Sequence, residues 1–85
     1  MPVMYCLWDP FVWGTTVYKK DNTSIEPLFT GDFEEVCEFM ANKWNEKGYE
    51  KIILSGIGVD GMANRIRTYA LTNYNNLNIN IEVIK

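Results

Sequence analysis

"KIILSGIGVDGMANRI", residues 51–66, decides the architecture of this chain. It opens as an apolar strand, passes glycines at 56, 58 and 61, and continues as a mixed polar and apolar segment of helical character. A strand running into a helix through a glycine turn is the unit from which parallel sheets are made. The G-x-G-x-x-G spacing also outlines a phosphate-binding turn. Gly56 would supply the tight bend, Gly58 the close approach of backbone to a pyrophosphate, and Gly61 the packing of helix on strand. Glu82 even follows at about the 20-residue distance of a ribose-binding acid. Against that stand Asp60, a negative charge among the N–H groups meant for phosphate, and Arg65, where a small residue is preferred. A dinucleotide site would further need a second half-domain. The residues therefore predict a strand-to-helix turn capped by Asp60, with a nucleotide or phosphate sensor using Gly56, Gly58 and Gly61 as an alternative.

Working outward, Val3 to Trp8 is uninterruptedly apolar, the pattern of a central strand covered on both faces. Asp9-Pro10 breaks it, and Gly14 to Tyr18, "GTTVY", predicts a second strand returning by a hairpin. "KKDNTS", Lys19 to Ser24, reads as a polar turn. Ile25 to Phe29 predicts a third strand, and Pro27, which cannot donate to a ladder, assigns it to a sheet edge. Asp32 followed by Glu35 has capping-box spacing, after which Phe33, Val36, Cys37, Met40 and Trp44 recur at helical intervals until Gly48. Lys51 to Ser55 is a fourth strand, with Ile52, Ile53 and Leu54 consecutive and expected to be buried on both faces. A second helix opens at Asp60 or Gly61, with an inward stripe of Met62, Ile66, Tyr69 and Ala70. "LNINIEVI" then alternates, placing Leu77, Ile79, Ile81 and Val83 on one face of a fifth, edge strand. The expected fold is a single α/β domain over 1–85, ordered β-β-β-α-β-α-β. Right-handed crossovers give a five-stranded mixed sheet of order 3-2-1-4-5.

Composition narrows the function. At 85 residues, folding buries only roughly 60% of the extended chain's surface, so the core must be dense; 47% apolar and 14% aromatic residues supply it. No apolar run approaches the roughly 20 residues of a membrane span, and "MPVMYCLW" lacks the features of a signal peptide. A cytoplasmic protein with no membrane partner is expected, and Cys6 and Cys37 are expected as buried thiols. The absence of His excludes imidazole catalysis and leaves a zinc site almost without ligands. A net charge of −3 disfavours attachment to nucleic acid. It suits either ordinary solubility or a partner with a basic surface.

The element succession and strand order resemble the ribonuclease H-like fold shared by RuvC-type resolvases, YqgF-type proteins and actin-like lobes. Two stretches are similar in detail. "CLWDPFVWGTTVY" places Asp9 and Pro10 where that superfamily has an acid ending the first strand, and "IILSGIGVDGMANRI" is similar to a YqgF-type strand, glycine and Asp-Gly turn. The resemblance implies a metal-dependent nuclease, with Asp9, Asp60 and Glu82 as its acids, acting as a dimer. The sequence departs from that pattern, since Ser55 stands where the fourth strand would carry a second carboxylate and no acid follows the last strand. Two-metal cleavage needs several converging carboxylates, so the chemistry is expected to be missing.

The remaining candidates concern recognition. In "DPFVWG", Phe11, Val12 and Trp13 occupy a connection that should be polar. Phe11 and Trp13 are either interface anchors or rings folded back as core. Glu34, Glu35 and Glu38 give the first helix an acidic face, either solubilising or turned toward a basic partner. Arg65 and Arg67 read as solvated helix surface. The leading expectation is a non-catalytic protein-binding or inhibitory accessory domain, of the kind phages and mobile elements direct at host machinery. No cofactor is expected, and a homodimer through the edge of the last strand is a further possibility.

Overall fold

The computed structural model describes residues 1–84. Its elements are β1 (Val3–Trp8), β2 (Thr15–Lys20), β3 (Ile25–Gly31), α1 (Phe33–Asn45), β4 (Ile52–Gly56), α2 (Val59–Tyr74) and β5 (Ile81–Ile84). They form a five-stranded sheet in the order β3-β2-β1-β4-β5. β1 is antiparallel to β2 and parallel to β4, β2 is antiparallel to β3, and β4 is parallel to β5. This is the topology expected from Pro27, the apolar runs and the handedness of crossovers.

One expectation is corrected. β1 and β4 are not covered on both faces. Relative to β3, the connections β3–α1–β4 and β4–α2–β5 step in the same direction across the sheet, and right-handed crossovers stepping one way put both helices on one side. α1 and α2 accordingly pack together over a single core of Met4, Cys6, Val17, Val36, Met40, Ile52, Leu54, Met62 and Ile66. Alternate residues point to the other face, where Tyr5 is flanked by Tyr18 and Ile53, and Leu7 by Ser55. There, Tyr5, Tyr18 and Ile53 are half-buried and Leu7 is exposed.

Element ends also differ from expectation. Lys19 and Lys20 belong to β2 rather than to the turn, Lys20 lying 5.9 Å over the Tyr5 ring and Lys19 within 3.9 Å of Glu26. The turn shrinks to Asp21–Ser24, where the Asp21 carboxylate accepts from the N–H groups of Thr23 and Ser24. β3 runs on to Gly31, with a bulge opposite Val17 and Tyr18. α1 ends at Asn45 rather than at Gly48, with Glu46 as its C-cap; the chain then turns through left-handed Lys47 and Gly48. Its start is as read: the Asp32 side chain accepts from Glu35 N–H while Glu35 Oε1 accepts from Asp32 N–H. In the last segment Ile79, Ile81 and Val83 pack on the core, but Leu77 is 76% exposed because it precedes the strand.

Aromatic pairs join the strands to α1 at mid-helix, through Phe39, and at its first residue, Phe33. Phe29 stacks on Phe39 at 4.7 Å and Trp8 meets Phe33 edge-on at 5.0 Å, geometries that add to simple burial. Both cysteines are buried, free thiols. Among the described residues no helix is long and apolar enough to cross a membrane.

Candidate functional site

The turn after β1 is built by its own side chain. Asp9 Oδ1 accepts from Phe11 N–H at 2.9 Å and the Asp9 carbonyl accepts from Val12 N–H at 3.2 Å. Pro10 stiffens the bend, and Gly14, at φ +82°, redirects the chain into β2. Thr15 anchors the return, its hydroxyl donating to the Leu7 carbonyl at 2.8 Å. Held this way, Phe11 is 88% and Trp13 93% exposed. Of the two readings open for these rings, the structure takes the exposed one; Trp8 is the ring that turns inward, onto Phe33. A shallow groove runs between Phe11, Trp13 and Phe33, with Asp32 on its rim.

Beside this turn lies the glycine turn, because β1 and β4 are parallel neighbours whose carboxyl ends coincide at Trp8 and Gly56. Gly56 has φ +120°, and a Cβ on it would fall 2.0 Å from the Trp8 carbonyl oxygen. Its lack of a side chain is therefore demanded by strand packing. Gly58, at φ +75°, is the N-cap of α2 and provides no side-chain cap. This corrects the expectation that Asp60 caps the helix: α2 starts at Val59, and Asp60 lies within its first turn. Gly61 has open space around its Cβ position, so close helix–strand packing does not require it. Asp60 adds negative charge at the helix end that a phosphate would approach.

Asp9 and Asp60 thus share one end of the sheet, while Glu82 does not. Glu82 lies in register with Ile53, which faces Tyr5, four residues before Asp9 on the neighbouring strand, about 13 Å along it. It is engaged by Lys51 Nζ at 2.8 Å, which raises the Lys51 pKa above its ordinary value. Among the described residues no group of at least three His, Cys, Asp or Glu is placed to hold a metal ion.

The acidic face of α1 has structural duties. Glu34 accepts from Arg65 Nε at 2.9 Å and from the Tyr69 hydroxyl, joining α1 to α2. That hydroxyl and the guanidinium hold the Glu34 carboxyl below its ordinary pKa. Arg65 also lies 5.1 Å over the Tyr69 ring, so it is a helix-pairing residue rather than loose surface. Glu35 is consumed by the capping box, and Glu38 is exposed. Phe11 and Trp13 differ from Glu34 and Glu35 in that no contact among the described residues occupies their rings, while all three acids remain exposed.

Sequence reasoning missed further exposed apolar residues toward the same end of the sheet. Leu7 is 56%, Ile57 64% and Ile84 45% exposed. Leu7, Ser55 and Ile84 form one row across β1, β4 and β5 on the uncovered face. The signal was available for Ile57, an apolar residue between two turn glycines, and for Leu7 and Ile84 through the crossover directions. β5 borders the sheet beside β4, where self-pairing was expected. No family model matches this sequence, and no curated protein matches it either.

Proposed function

We propose that the chain is a non-catalytic protein-binding domain of accessory or inhibitory type, built on a ribonuclease H-like scaffold, whose contact surface is the Phe11–Trp13 turn. The observation that carries this reading is the exposure of both rings, 88% and 93%, on a turn held by hydrogen bonds. An aromatic ring left in water forgoes roughly 1.5–3 kcal/mol of burial, so the pair contributes little to folding. On a rigid turn, however, the rings lose little freedom on docking and are suited to act as anchors. Leu7, Ile57 and Ile84 are further exposed apolar residues toward the same end of the sheet.

The nuclease alternative asks Asp9 to bind metal with too few neighbours, since its Oδ1 already accepts from Phe11 N–H and a divalent pair needs several converging carboxylates. The phosphate-sensor alternative asks for an anion beside Asp60. The test is capture from a lysate of the natural host with the intact chain and with the Phe11→Ser/Trp13→Ser variant. A protein retained by the first and lost by an equally folded second supports the proposal; equal retention by both refutes it.

A further inference from the structure

We infer that the sheet border at β5, together with the groove along the outer flank of α2, is a second binding site, for an extended peptide segment with alternate apolar residues and an acid. The site is separate from the Phe11–Trp13 turn and does not depend on it. The two borders of the sheet are built differently. β3 carries Glu26, Pro27 and a bulge opposite Val17 and Tyr18, devices that keep an edge from pairing with another strand. β5, described over Ile81–Ile84, contains no Pro, no Lys and no register shift against β4. Ile52 N–H donates to the Asn80 carbonyl at 2.8 Å, which fixes the alternation along the strand. Asn80 and Glu82 turn their hydrogen-bonding groups toward β4, and Ile81 and Val83 turn theirs off the sheet.

The outer flank of α2 supplies a wall beside that border. Arg65 and Tyr69 face α1 through Glu34, so Asn64, Arg67 and Leu71 occupy the opposite flank. With Thr68, Leu77 and Ile79 they line a groove of about 360 Å³, in which Leu71 is 47% and Leu77 76% exposed. A strand added to β5 sends every second side chain to the helix side, where these leucines offer apolar contact, the usual source of specificity when a peptide extends a sheet. Arg67 is exposed, and among the described residues it is in no ion pair, so it is available to a carboxylate. Asp60 lies on the same flank two turns earlier, which sets the acid of the peptide at the Arg67 end of the groove.

These features select the occupant. Nucleic acid has no backbone that matches the N–H and C=O spacing of a strand. A second copy paired β5 to β5 would set its own α2 flank, Arg67 included, against this one, and its Ile81 and Val83 side chains are already packed on its own core.

The test pans a phage-displayed library of random linear peptides on the intact chain and titrates the best-enriched peptide in synthetic form. That peptide should alternate apolar residues and include an acid, and its binding should slow hydrogen exchange at the Ile81 and Val83 amides about tenfold or more. Arg67→Glu should weaken it about tenfold. Lys20→Glu, the same charge reversal on β2, should change it by about twofold at most, and Phe11→Ser/Trp13→Ser should leave it unchanged. Absence of enrichment, unchanged exchange at Ile81 and Val83, or a loss in Arg67→Glu no larger than in Lys20→Glu overturns the inference. So does a dimer of the peptide-free chain in sedimentation whose Ile81 and Val83 amides are already protected, since a second copy then holds the edge. Binding lost in Phe11→Ser/Trp13→Ser but kept in Arg67→Glu also overturns it, and leaves the role of the turn standing.

Discussion

The carbonyl oxygen of Trp8 lies so close to the α-carbon of Gly56 that a β-carbon there would sit 2.0 Å away. The two residues are register partners on the parallel strands β1 and β4, and Gly56 also needs φ +120°. Gly56→Ala should therefore cost more than about 3 kcal/mol, combining strain with a backbone clash. At about 4–8 °C per kcal/mol for a domain of this size, thermal unfolding will show it plainly. Gly61→Ala is the counterpart, with open space at its Cβ and a helical position; it should stabilise by about 0.5–1 kcal/mol.

Phe11→Ser/Trp13→Ser should leave stability within about 0.5 kcal/mol of wild type, because both rings are in water. Phe33→Ser removes the ring that meets Trp8 at 5.0 Å and should cost about 2 kcal/mol or more. Urea unfolding of the two variants side by side distinguishes exposed rings from packed ones.

The Glu34 carboxyl is held below its ordinary value of 4.5, first by the Tyr69 hydroxyl and then by Arg65. A depressed folded-state pKa gives stability that is present above the ordinary value and lost as pH falls through the folded one. Asp21, lowered mainly by the Thr23 and Ser24 N–H groups, acts in the same direction. Urea midpoints from about pH 6 down to about pH 3 should fall less steeply in Glu34→Gln than in the wild type. Lys51, raised by Glu82, has the opposite sign: its contribution is complete below 10.5 and fades as pH rises through the folded value.

Burial pushes the Cys37 thiol up to about 12 and also raises Cys6, whose hydrogen bond with Thr15 partly offsets the rise. Thiolate is the reactive form, so both should resist an aromatic disulfide reagent in the native state and react together when urea unfolds the chain. Rapid native labelling of either would show that its side chain is accessible.

The legible parts of the fold were those written in local pattern. The Asp32–Glu35 capping box, the helical recurrence of Val36, Cys37 and Met40, and the exclusion of Pro27 from the sheet interior each follow from residues close together in sequence. The apolar runs at Val3–Trp8 and Ile52–Leu54 located the sheet centre correctly but misreported its coverage, since an apolar run looks alike whether its second face meets helices or remains open. The site was legible as a list of odd residues, Asp9, Phe11, Trp13 and the glycines, and their grouping at one end of the sheet followed from strand order.

By itself the sequence determined the element order and the strand order, because periodicity, capping and crossover handedness are short-range rules. Only the tertiary structure decided that Trp8 turns inward while Trp13 stays in water, that Glu34 is taken up by Arg65 and Tyr69 on another helix, and that Gly56 answers to Trp8. Each of these depends on which distant segment arrives beside a residue. The segments that meet across β1, β4, α1 and α2 are far apart along the chain, so no local pattern encodes the encounter.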